Sequence, residues 1–137
     1  MNRDLIKWVN FDVKGDERGS LNVIESSKDV PFQIERIYYI YGTRTGVTRG
    51  YHAHKDLKQV LIAISGSCNI KLDDGEYSTV VHLSSPERGI YLDSLLWREM
   101  SDFSSDCVLL CIASSYYDED DYIRDYAEFK SYVLKRG

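Results

Sequence analysis

Two histidines stand two positions apart in Arg49-Gly50-Tyr51-His52-Ala53-His54, and the chain has only three in all. On a β-strand, residues i and i+2 project from one face, so both imidazoles point the same way, into whatever space the sheet encloses. Imidazole titrates near neutrality. One ring can remove a proton and return it elsewhere, while a neighbour fixes its tautomer or carries a second proton. Proton abstraction beside a carbonyl is the chemistry such a pair suits. A single strand histidine is most often structural, but two on one face favour a ligand or acid–base role. His82, the third, falls in another segment, and no spacing joins it to the pair.

A metal is the rival use for two imidazoles. The wider pattern is Gly46, five residues, His52, one residue, His54, four residues, Gln59, six residues, Gly66. It resembles the first signature motif of the cupin superfamily. In metal-binding cupins the position of Gln59 is typically Glu, and a second motif supplies another His. Here Gln59 offers a neutral amide, and near Gly89–Met100 the candidates are Trp97 and Arg98. Arginine keeps its proton and repels a divalent ion. A catalytic metal usually has three protein ligands, so neither a metal nor a cofactor is expected.

The elements that must hold these residues read as strands. From Ser20 to about Ala113, segments rich in Val, Ile, Leu and Tyr recur roughly every ten residues between Gly, Asp, Ser and Pro clusters. The strongest are Leu21–Ile24, Gln33–Tyr41, Val60–Ile64, Cys68–Leu72, Ser78–Leu83 and Asp106–Ala113. Ser65-Gly66-Ser67 and Asp73-Asp74-Gly75 supply hairpin turn chemistry. Tyr38 and Tyr39 must face opposite sides of their strand, so at most one lines an interior. After Ala113 the acidic run Asp118–Asp121 reads as a solvated connector. From Asp125 on, Tyr126, Phe129, Tyr132 and Val133 repeat at helical spacing, predicting one helix over about 125–135 with Asp125 as its N-cap. Lys135 and Arg136 suit its negative end. The expected fold is all-β: an antiparallel jelly-roll barrel with one C-terminal α-helix, in a single domain over residues 1–137.

Composition narrows the partners. The 137 residues carry 17 basic and 22 acidic side chains, a net charge of −5, so no general basic field draws nucleic acid or anionic lipid. No apolar run approaches the roughly 20 residues of a membrane span. Three cysteines without a Cys-x-x-Cys pair, and an N-terminus unlike a signal peptide, point to a reducing cytoplasm. Sheet edges need cover, and the apolar segment around Leu5–Phe11 suits strand addition to a neighbour's sheet, giving a homodimer.

A closer resemblance runs from about Asp16 to Phe129. Glu35-Arg36-Ile37-Tyr38-Tyr39-Ile40, Arg49 to His54, Gln59-Val60-Leu61, Leu96-Trp97-Arg98-Glu99-Met100, Asp102 to Leu110, Ala113 to Glu119 and Asp121-Tyr122-Ile123-Arg124 resemble the nucleotide-sugar 3,4-ketoisomerases, the WxcM-like sugar cupins. The resemblance implies a small homodimeric cupin that needs no metal and converts dTDP-4-keto-6-deoxyglucose into its 3-keto isomer. An aminotransferase then makes a 3-amino-3,6-dideoxy sugar for secondary metabolites or for glycans such as lipopolysaccharide O-antigen. It further implies that His52 is the base and His54 its orienting or relaying neighbour. Arg18, Arg49 and Arg98 are expected to contact phosphate, sugar hydroxyl or enediolate, since the guanidinium fork suits oxyanions. Tyr38 and Gln59 are further candidates for hydrogen bonds to the sugar. Many relatives have His where this chain has Arg98, which leaves the C4 configuration of the product open. A 3,5-epimerase-like cupin and a non-catalytic sugar-binding cupin are the alternatives.

Overall fold

A computed structural model describes residues 4–136. In chain order the strands are β1 Trp8–Asn10, β2 Val13–Asp16, β3 Gly19–Asn22, β4 Arg36–Ile40, β5 Arg49–His54, β6 Gln59–Ser65, β7 Cys68–Asp73, β8 Ser78–Leu83, β9 Arg88–Leu92, β10 Trp97–Ser101, β11 Val108–Ala113 and β12 Tyr122–Ile123, before helix α1 Tyr126–Arg136. They form two five-stranded antiparallel sheets, ordered β1-β9-β6-β11-β4 and β12-β5-β10-β7-β8. The anticipated antiparallel barrel with one terminal helix is the architecture found.

Alternation along the strands builds three apolar layers. Leu61, Ala63, Ile70, Leu72, Leu92, Leu109 and Cys111 face inward and fill the barrel. Val60, Ile62 and Ile112 face outward and are covered by Phe11, Val30 and the partly buried Phe32 and Ile34. On the other sheet, Ala53, Trp97 and Ile123 turn outward against Phe129 of α1. The helix therefore braces the back of the histidine strand. Asp125 caps it as expected, its carboxylate accepting from Ala127 N at 3.3 Å.

Three local expectations change. Ser65-Gly66-Ser67 is no hairpin turn: β6 and β7 belong to different sheets, and Gly66, at φ 64°, makes the corner between them. A Cβ there would meet Cys107 Cα at 2.8 Å, so the close approach demands glycine. The Leu5–Phe11 segment supplies β1, the edge strand of its own chain's sheet, with Trp8 opposite Ile90. Asp73-Asp74-Gly75 does make the expected β7–β8 hairpin. Third, the strand expected over Leu21–Ile24 is β3 Gly19–Asn22, which forms with β2 a hairpin that pairs with neither sheet and leaves Val13 45% and Leu21 55% exposed.

Candidate active site

A β-bulge aims the histidines. His52 lies opposite Arg98 on β10 and Gly50 opposite Glu99, so Tyr51 is the extra residue, at φ 59°. Gly50, at φ 92°, lets the backbones close in, since a Cβ would meet Arg98 O at 2.9 Å. Bulges of this kind re-aim side chains and concentrate next to functional sites. Beyond it the i, i+2 rule holds. Ala53 points to the helix, while His52 and His54 share the inner face, their rings edge-on with centroids 5.0 Å apart.

Across the strand pair, Arg98 is buried at 1% exposure, while its neighbour Trp97 turns out to the helix. The guanidinium donates to neutral oxygens, through Nη1 to Gln59 Oε1 and through Nε and Nη2 to Leu96 O at 3.2 and 3.1 Å. Of its five donors, these bonds leave two for another acceptor. Gln59, likewise buried, donates through Nε2 to the Tyr38 hydroxyl at 2.9 Å, so it links Arg98 to Tyr38 rather than facing the cavity. Burial raises the Tyr38 hydroxyl well above its ordinary range, and Tyr38 stays protonated. Burial first, and the Arg98 cation second, push His52 down to about 4. The same causes, in the same order, hold His54 well below the usual histidine range. Both rings are neutral at pH 7. His52 Nδ1 and His54 Nε2 are buried polar atoms without hydrogen-bond partners.

The open side of the site is a cavity of about 410 Å³ lined by residues that include Tyr38, Arg49, His52, Met100, Tyr122 and Arg124. His54 lies behind His52, 1% exposed. Its Nδ1 stands 2.9 Å from Asp121 Oδ2, and because a carboxylate only accepts, Nδ1 carries the hydrogen. Tyr122 stacks obliquely on both imidazoles, with centroids 5.1 Å from His52 and 4.4 Å from His54. Arg124 lies over the Tyr122 ring, 4.1 Å from its centroid, and is held by Glu119 at 2.9 Å.

The structure thus places Tyr38, Arg49 and His52 on the cavity wall and His54, Gln59 and Arg98 in the buried layer behind it. It does not bring Arg18 there. That side chain is 87% exposed on the β2–β3 hairpin and pairs with Asp16, because the hairpin leaves the barrel. His82 is apart, as its spacing implied, with Nδ1 2.7 Å from Asn69 Oδ1. The acidic run is more than a connector, since Asp121 reaches a histidine and Glu119 orders Arg124. Asp121, Tyr122 and Arg124 escape a reading by spacing, although the quartet Asp121-Tyr122-Ile123-Arg124 carries part of the family resemblance. Two imidazoles beside a neutral amide and a buried guanidinium do not fit a divalent cation. Among the described residues no cluster of three or more His, Cys, Asp or Glu could hold one.

Residues 4–134 match the family described as FdtA: WxcM-like, C-terminal. The TDP-4-oxo-6-deoxy-alpha-D-glucose-3,4-oxoisomerase of Aneurinibacillus thermoaerophilus is 51% identical over 94% of this chain and 93% of its own length. A 3,4-ketoisomerase from Helicobacter canadensis superposes with a TM-score of 0.91 at 49% identity, over 94% of this chain and 97% of that one. A histidine-to-asparagine variant of the Thermoanaerobacterium thermosaccharolyticum 3,4-ketoisomerase, in complex with TDP-4-keto-6-deoxyglucose, gives 0.93 at 43%, covering 96% of each chain. With the barrel, the paired histidines and this match along nearly its whole length, the chain belongs to the nucleotide-sugar 3,4-ketoisomerase family of WxcM-like cupins.

Proposed function

We propose that this chain moves the keto group of dTDP-4-keto-6-deoxy-D-glucose from C4 to C3 by proton transfer at His52. The observation that carries the reading is a neutral imidazole at the cavity wall with a buried guanidinium directly across the strand pair. The C4 carbonyl acidifies the C3 hydrogen. His52 takes that proton, the C–H electron pair becomes the C3=C4 double bond, and the C4=O pair moves to O4 to give an enediolate. The O3 hydrogen passes to O4, C4 takes a proton from the His52 imidazolium, and the C=O forms at C3. Arg98, with two donors in hand, holds the developing enediolate oxygen in a low-dielectric setting where such a contact counts most. Tyr38 serves as a neutral hydroxyl toward the sugar. Arg49 and Arg124 are the cavity's cations for the diphosphate, and the guanidinium fork suits phosphate oxygens.

The reaction needs no metal or redox cofactor, since each step moves protons alone. The product is the ketone an aminotransferase requires to make a 3-amino-3,6-dideoxy sugar, of the kind built into O-antigen, and the enzyme works as a cytoplasmic homodimer. Exposed Ile37 and Tyr39 on the edge strand β4 and Tyr41 just past its end, together with the unattached β2–β3 hairpin, support a second copy as partner. The test is incubation with dTDP-4-keto-6-deoxyglucose in deuterated water followed by NMR of the sugar. A 3-keto product with deuterium at C4 is expected. A ketone that stays at C4 with epimerised neighbours would establish a 3,5-epimerase instead, and a sugar without exchange a binding protein.

A further inference from the structure

Asp121 closes a short 3-10 turn, Glu119–Asp121, immediately before β12 and 67 positions beyond His54, yet meets that histidine at hydrogen-bond distance. We infer that Asp121 is a positioning residue for the isomerisation: its carboxylate fixes His54 in the Nδ1–H tautomer and faces the proton-accepting pair with a negative charge. The inference rests on the proposed reaction and names a group that neither spacing nor turn chemistry points to.

Asp121 is anchored independently of the histidine. Its Oδ1 accepts from Asp56 N at 2.8 Å, its backbone carbonyl accepts from Lys55 N at 2.9 Å, and its own amide donates to Asp118 O at 3.1 Å. The side chain is 14% exposed, which limits rotation and screening. Antiparallel pairing sets Tyr122 opposite His54 and Ile123 opposite Ala53, so the carboxylate arrives at the edge of the strand that carries the pair. With Nδ1–H donated to Asp121, the His54 lone pair must reside on Nε2, the atom left without a partner in the interior. A buried nitrogen left unpartnered beside the base, as His52 Nδ1 also is, calls for a purpose, and holding or passing a proton provides one.

Charge points the same way. Arg98, Arg36 and Arg124 all act on His54 as cations, so a proton arriving at the pair enters a positive field. Glu119 is engaged by Arg124 and Tyr117. Asp121 is the carboxylate in hydrogen-bond contact with the pair, and its charge favours the imidazolium that forms when the C3 proton is taken. That effect exists only while the proton is on the enzyme, so removing it lowers kcat with little change in KM.

The decisive substitution is Asp121→Asn. It keeps an oxygen for Asp56 N but presents an amide N–H to His54 Nδ1, forcing the hydrogen to Nε2. In protein labelled with ¹⁵N-histidine and without sugar, long-range ¹H–¹⁵N correlation should show Nδ1–H at His54 in the wild type and Nε2–H in the variant. kcat should fall on the order of 10²-fold with KM within about threefold, and Asp121→Glu should recover part of the loss. Nε2–H in the wild type overturns the inference whether or not any variant folds. So does an unmoved tautomer in Asp121→Asn, or a kcat loss below about threefold. If the wild type leaves the sugar unchanged, the proposed reaction falls, while the tautomer result still decides whether Asp121 orients His54.

Discussion

His52 reaches the cavity and His54 stands behind it, so their substitutions should separate in effect. His52→Asn removes the base without a large volume change, and isomerisation should fall by about 10²–10⁴-fold with the fold intact; activity within a few-fold of wild type refutes the role. Because burial and Arg98 push His52 down to about 4, kcat/KM should stay level from neutrality to about pH 5 and drop only as that pKa is crossed. The sign for stability follows from the same shift. Below about 6.5 the unfolded chain binds the proton first, so stability declines as pH falls from there toward 4, read from urea midpoints at pH 7 and pH 5. Arg98→His replaces a fixed cation by a group that both donates and accepts a proton. The C4 epimer ratio of the product, measured by proton coupling constants, should move more than substrate affinity does. His52 and His54 were legible in the sequence because strand periodicity is local. Asp121 was hidden because the contact spans 67 residues and its acidic neighbours look like any solvated run. Arg18 was hard to place for a related reason: its residue type suits phosphate, but only the fold reveals that its hairpin leaves its own chain's barrel.

At the scale of elements, the histidine strand is held from behind by α1. Phe129 is fully buried against Ala53, Trp97 and Ile123, and Phe129→Ala should cost about 3–5 kcal/mol in urea unfolding. Activity at low denaturant should fall too, since Ala53 sits between the two histidines. The helix was readable because its period of three to four and its Asp125 cap are signals within a dozen residues. Strand boundaries such as Ser78–Leu83 were equally plain. The Gly66 corner was not, because glycine marks a positive φ without saying which two strands it joins. Nor was the bulge at Tyr51, which appears only against the register of β10.

For the molecule as a whole, light scattering should give about twice 15.8 kDa, and a clean monomer at micromolar concentration contradicts the dimer. Exhaustive dialysis against a chelator should leave turnover unchanged, whereas stoichiometric bound metal with chelator-sensitive activity would refute a metal-free reaction. The bond from Arg98 to Gln59 carries a last consequence. Arg98 belongs to one sheet, and Gln59 and Tyr38 to the other, so the site is stitched across the barrel rather than built on a single layer. Neither layer holds a working half. Heat inactivation should therefore trace the same sigmoid as loss of the barrel itself, with no temperature at which a structured but inert protein accumulates.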